Sequence, residues 1–131
     1  MIVSEINAYL AEWRARPFRP GTSDCAIFGA NWIVLRGGPD LARGWRGKYR
    51  SLKRGLEILN EAGFADHADL AASELPELRS WMQCRPGDIA FAEQHGFLCA
   101  GIVGGDCAHF LRIGGGLDVL TTDQTVRWFR V

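Results

Sequence analysis

From Cys25 to Leu35 the chain reads Cys-Ala-Ile-Phe-Gly-Ala-Asn-Trp-Ile-Val-Leu, with no charged side chain, directly after Thr22-Ser23-Asp24. All three of those residues are good helix N-caps, and Gly37-Gly38-Pro39 supplies the stop. A helix that is apolar nearly all round cannot lie on a surface. The segment therefore predicts a central buried helix, around which the remaining elements must be arranged, with a cysteine in its first turn.

The flanking sequence predicts further helices before and after it. Ile6, Tyr9, Leu10 and Trp13 follow helical spacing behind Ser4 as a cap, and Pro17 closes that element. Ser51 caps a helix over 52–62 with Leu52, Leu56 and Leu59 inward and Gly63 as its stop. The stretch 40–50, rich in Arg and Gly, reads as a surface excursion, and 64–80 as an Ala-rich segment with a short helix broken by Pro76. From Arg85 the character changes. Arg85-Pro86-Gly87-Asp88 is a turn, followed by strands over 89–91 and 97–103. A Gly104-Gly105 hairpin signal leads to strands over 107–113, 117–120 and 126–131, read as one meander. Helices first and antiparallel strands second predict a single α+β domain over 1–131.

Charge narrows the function classes. Fifteen Lys plus Arg against 15 Asp plus Glu leave no formal net charge, which argues against a dedicated nucleic-acid binder. No apolar run reaches the ~20 residues of a membrane span. Glu5 and Asn7 interrupt the place where a signal peptide would carry its apolar block, so a cytoplasmic site of synthesis is expected. Glycines at 104–105 and 114–116 read as tight turns, since no strand–loop–helix order surrounds them.

Four cysteines, Cys25, Cys84, Cys99 and Cys107, are too few for a disulfide scaffold in such a chain and lack C-x-x-C spacing. Most read as small buried hydrophobes. Cys25 stands apart, because free N–H groups and the helix dipole favour an anion at a helix start and should lower its thiol pKa. That is a common route to a cysteine nucleophile. Asp24 opposes the effect in part unless its carboxylate turns away as a cap.

Gly21-Thr22-Ser23-Asp24-Cys25-Ala26-Ile27-Phe28, followed by Arg85-Pro86-Gly87-Asp88-Ile89-Ala90-Phe91, resembles the NlpC/p60 superfamily of papain-like cysteine peptidases. More closely, Arg16 to Tyr49 resembles a small domain family of unknown function from phage and prophage tail-gene clusters. There a Pro-Phe-x-x-Gly-x-x-Asp-Cys segment is joined to a Gly-rich stretch ending in Arg-x-x-Tyr, here Arg46-Gly47-Lys48-Tyr49. The resemblance implies a papain-like fold, with N-terminal helices packed on a C-terminal antiparallel sheet and Cys25 at the nucleophile position.

It also implies a defect. Active members begin the strand after the Pro-Gly-Asp strand with a histidine base, and here Cys99-Ala100-Gly101-Ile102-Val103 occupies that place. A thiol is a poor general base near neutral pH. His109 could substitute. With a two-residue turn at Gly104-Gly105 it points away from the Cys99 face; with a three-residue turn through Asp106 it returns to it. His95 and His67 read as solvated. Cys25 and Cys99 are expected to be neighbours, with Cys107 on the adjacent strand. Those thiols with His109 offer a zinc or iron–sulfur set in principle, or Cys25–Cys99 a redox pair, but their spacing requires neither metal nor cofactor.

The expectation is a structural component of a phage or prophage tail tip or its assembly, with a peptidase centre that is incomplete, partnered by other tail proteins. Trp45, Tyr49 and Arg50 are the candidate contact patch; the alternative for Trp45 is that it folds back over the sheet. The rival expectation is an active peptidase or amidase on peptidoglycan, with Cys25 as nucleophile and His109 as base.

Overall fold

The computed structural model describes residues 1–131. The charge-free segment forms α2, Cys25–Leu35, with Asp24 as its N-cap. Beyond Leu35, Gly37 adopts φ +89°. Its N–H bonds the carbonyl of Val34 at 2.9 Å and that of Gly38 bonds Ile33 at 2.9 Å, closing the helix in a Schellman motif. Phe28, Trp32 and Ile33 are buried, whereas Val34 and Leu35 of the last turn are exposed. So the helix is central for its first two turns only.

Helix α1 spans Ile2–Arg14 and begins earlier than Ser4, which lies inside its first turn; Ile6, Tyr9, Leu10 and Trp13 are its buried stripe. The Tyr9 hydroxyl donates to the Phe28 carbonyl at 2.6 Å, fixing α1 against α2. Helix α3, Leu52–Glu61, is capped by Ser51, whose hydroxyl accepts the Arg54 N–H. Helix α4, His67–Ala72, is capped by Asp66.

Six strands follow: β1 (Glu77–Leu78), β2 (Ile89–Gln94), β3 (Phe97–Val103), β4 (Cys107–Leu111), β5 (Leu117–Thr121) and β6 (Arg127–Phe129). The order is β1-β6-β2-β3-β4-β5, with every pair antiparallel. The four strands β2 to β5 are a meander. However, β6 does not extend it past β5, as the sequence suggests; it returns to pair with β2, and the short β1 adds to its outer edge. Arg127 holds this edge, donating to Glu77 at 2.8 Å and to Asp69 of α4 at 2.9 Å.

All the helices share one face of the sheet. Ile89, Phe91, Ala100, Ile102 and Phe129 meet α1, α2 and α4 in the main core. The other face carries mostly small residues, Ala90, Ala92, Cys99 and Ala108, around Phe110. Gly29 is the point of closest approach between α2 and β3, since a Cβ there would stand 2.8 Å from that of Ala100.

Asp88 of the Pro-Gly-Asp turn is buried and works as a hub. Its carboxylate accepts from Arg85 N at 2.8 Å, Arg130 Nε at 3.0 Å and Val131 N at 3.1 Å. The Trp32 indole donates to Gly87 O at 2.8 Å, tying the same turn to α2.

Candidate functional site

The start of α2 is built from motif residues of two separate segments, Gly21 with Asp24 and the distant Tyr49. Asp24 is fully buried, and its carboxylate accepts the Ile27 N–H at 2.9 Å as a helix cap, the Gly21 N–H at 2.8 Å, and the Tyr49 hydroxyl at 2.6 Å. Gly21 is obligatory: its φ is +83° and a Cβ would fall 2.2 Å from the Tyr49 carbonyl oxygen. Arg46 completes the attachment, reaching Asp40 at 2.7 Å and Asn31 of α2 at 2.5 Å. The Gly-x-x-Asp-Cys and Arg-x-x-Tyr spacings thus describe one hydrogen-bonded unit that clamps the 40–50 segment onto the helix.

That unit corrects the proposed contact patch. Tyr49 is 9% exposed with its hydroxyl committed to Asp24, and Trp45 packs against the main core. Of the three, Arg50 alone is exposed. Trp45 is half-buried.

Cys25 is 4% exposed and shares the smaller core cluster with Cys99. Cys99 lies on the first half of β3, where β4 does not pair, and its thiol donates to the Phe97 carbonyl at 3.7 Å. The hydrogen bond with Cys99, burial, and the nearby Cys99 and Asp24 charges push the Cys25 thiol well above the usual thiol range, against a smaller lowering by its own backbone N–H. The expected activation at the helix start is therefore reversed. The backbone N–H contribution is present, but the neighbouring Cys99 thiol, desolvation and the Asp24 charge outweigh it. Both thiols are unbridged.

His109 is not brought to Cys25. Its strand pairs Gly101 with Phe110 and Ile102 with His109, placing His109 on the opposite face from Cys99. The tight connection is Gly105-Asp106, neither of the turns weighed from sequence, with Gly104 N–H bonded to Cys107 O at 2.8 Å and Gly105 at φ +114°. The cause lies in packing: the Phe110 ring covers Gly101, where a Cβ would come within 2.5 Å of it. An aromatic ring set on a facing glycine fixes this register. His109 instead sits beside Arg14 of α1, and burial and that positive charge lower its pKa.

Cys107 also faces away from Cys25, with its sulfur 3.7 Å from His109 Nε2. Burial pushes the Cys84 thiol up to about 11, with Asp88 adding to the effect. No three side chains among His, Cys, Asp and Glu are grouped to hold a metal ion. The Cys25, Cys99, Cys107 ligand set is not assembled.

The histidine that does accompany Cys25 is His67, which the sequence places in solvent. It opens α4 and lines, with Cys25, a cavity of about 340 Å³ between α2, α3, α4 and strands β2–β3. Its ring stands edge-on to Phe91 with centroids 6.2 Å apart. Burial lowers its pKa, opposed by the charges of Asp24 and Asp66, so the neutral imidazole is the form present near neutral pH. The Ala-rich 64–80 segment signals a short helix, but nothing in the sequence places His67 at the same cavity as Cys25.

No helix is long and apolar enough to cross a membrane. Neither a curated protein nor a solved structure matches the chain. The family described as a domain of unknown function, DUF6950, matches residues 3–131, and the chain belongs to it.

Proposed function

We propose that this chain is a papain-like domain of the NlpC type whose hydrolytic centre is incomplete. Its role is structural, in a phage or prophage tail tip or its assembly, after synthesis in the cytoplasm of a bacterial host. The state of Cys25 carries this reading. A thiol nucleophile needs either thiolate character or a base within reach. Cys25 is buried beside a second thiol and pushed upward in pKa, and on this reading the place of the base is taken by Cys99. The tail assignment draws its support from the resemblance carried by Arg16 to Tyr49, whose key residues form the clamp on α2.

Three measurements test it. Iodoacetamide at about pH 6 should leave Cys25 unmodified, and purified protein should not cleave peptidoglycan. Purified tail particles should contain the chain in fixed stoichiometry. Peptidoglycan turnover abolished by Cys25→Ala would overturn the structural role.

One observation favours the rival reading, an amidase or peptidase acting on the cell wall: His67 shares a cavity with Cys25. On that reading His67, not His109, is the base. Both Cys25→Ala and His67→Ala would abolish turnover, while His109→Ala would leave it intact.

A further inference from the structure

Helix α3 carries an apolar stripe that it does not use. Leu52, Leu56 and Leu59 share one face, and such a stripe is ordinarily packed against a core. Here Leu59 alone joins the main core, while Leu52 and Leu56 are half-buried and stay outside it. The backbone of α3 stands off from the other helices and strands. Its closest support is Gly55, where a Cβ would lie 3.0 Å from the Tyr49 ring. Leu52 and Leu56 therefore face Ile33, Leu70 and Phe91 across the cavity of about 340 Å³. That volume lies within the range of small-molecule pockets.

The lining decides what such a space can hold. It is mostly hydrophobic and includes no Lys or Arg. Its polar side chains are occupied or turned to solvent. The Tyr49 hydroxyl donates to Asp24 at 2.6 Å, Asp66 caps α4 by accepting the Asp69 N–H at 3.0 Å, and Glu93 is exposed. His67 is half-buried, with its ring edge-on to Phe91. No buried side-chain nitrogen or oxygen lacks a hydrogen-bond partner. None is left over to receive a polar head group, or to anchor a water, which needs about two to four polar partners. A charged group would lose its hydration there and gain no counter-ion. Apolar walls without partner atoms forfeit dispersion contacts, which a hydrocarbon restores. An engineered apolar cavity of about 150 Å³ accepts benzene, so this one has room for a larger molecule.

We propose that this cavity is a binding site for a small uncharged apolar molecule, seated between the Leu52–Leu56 face of α3 and the core formed by α2 and the sheet. Helix α3 lies across the space, so the occupant is a small molecule and not a helix or strand of another protein. The site rests on packing alone. It is independent of the tail role and of any hydrolysis at Cys25, and binding can be measured on a protein that has no turnover.

The test uses three probes of one chain length, 1-octanol, octanoate and octylamine, titrated into the whole chain at about pH 7.5, where the second is an anion and the third a cation. Binding is followed by calorimetry and by the methyl resonances of Leu56 and Leu70, with Val119 on the edge strand β5 as control. Octanol should bind roughly tenfold more tightly than either charged probe, moving Leu56 and Leu70 and leaving Val119 in place. Leu56→Trp sets a ring in the cavity and should weaken octanol by about tenfold or more; Leu52→Trp, in the half-buried first turn of α3, serves if that variant does not fold. The proposal is overturned by a folded protein that binds no octanol, or by either charged probe binding as tightly as octanol. Octanol binding that moves Val119 in place of the cavity methyls, or that survives in the folded Trp variants, overturns it too. Cavity methyls that move with protein concentration alone would assign the space to a second copy of the chain and overturn it as well.

Discussion

Replacing Tyr49 by Phe removes one oxygen and leaves the packing of the ring against Gly55 in place. The lost hydroxyl donates to Asp24, a fully buried carboxylate, at 2.6 Å. A hydrogen bond to a charged group contributes about 1.5–3 kcal/mol. With two backbone donors still serving Asp24, a loss of about 2 kcal/mol is expected at neutral pH. An unfolding entropy of about 2.1 cal/mol/K per residue converts this to a fall in Tm of roughly 7 °C for a chain of this length. Urea titration should show a lower midpoint with an unchanged slope, since the surface exposed on unfolding is the same.

The same hydroxyl gives the difference a pH dependence. Burial first, then the Asp24 charge, raise the Tyr49 pKa far above its ordinary value. Above about pH 10 the unfolded chain releases the phenolic proton and the folded chain keeps it, so the native protein loses about 1.4 kcal/mol of stability per pH unit through this residue. The Phe variant has no such loss at position 49. The gap between the two proteins should therefore shrink above about pH 10 and close near pH 11.5. A gap below about 0.5 kcal/mol at neutral pH, or one that stays constant up to about pH 11, would refute the Asp24–Tyr49 clamp.

Other outcomes follow from the same structure. Asp88→Ala leaves Arg130 and two backbone N–H groups without their acceptor and should cost about 3 kcal/mol in chemical denaturation. Gly29→Ala should cost about 1–3 kcal/mol by forcing α2 away from Ala100, and Ala100→Gly in the same chain should recover part of it. His67 has a lowered folded pKa, so its contribution is present above about pH 6.5 and is lost as pH falls below that value; His67→Leu should flatten the stability profile between about pH 7 and pH 5. His109→Ala should leave the reactivity of Cys25 unchanged, as judged by its alkylation rate.

Several of these features could be read in the chain beforehand, for identifiable reasons. Helix α2 announces itself because caps, an uncharged run and a glycine stop all agree. The meeting of Cys25 and Cys99 follows from the resemblance of the two motif segments. The thiol's pKa direction does not follow, because the sequence exposes the helix start but not the depth of burial or the nearness of the Cys99 thiol. The register of β3 and β4 depends on Phe110 covering Gly101, a tertiary fit that turn signals alone misjudge by one or two residues. Strand β1 is too short for alternation to show, and the pairing of β6 with β2 depends on a chain return that local pattern cannot encode. The place of His67 is hidden because Asp66-His67 looks like any polar helix start; only the packing of α4 brings it, half-buried, to the cavity wall.

The central claim is that Cys25 is a protonated, inactive thiol at the place of a nucleophile. The direct measurement is the ¹³C shift of the Cys25 Cβ, followed by NMR as a function of pH in the intact chain. The account predicts a flat profile from about pH 5 to pH 9, with no thiolate forming. An inflection below about pH 8 would contradict it and return Cys25 to the class of activated cysteines.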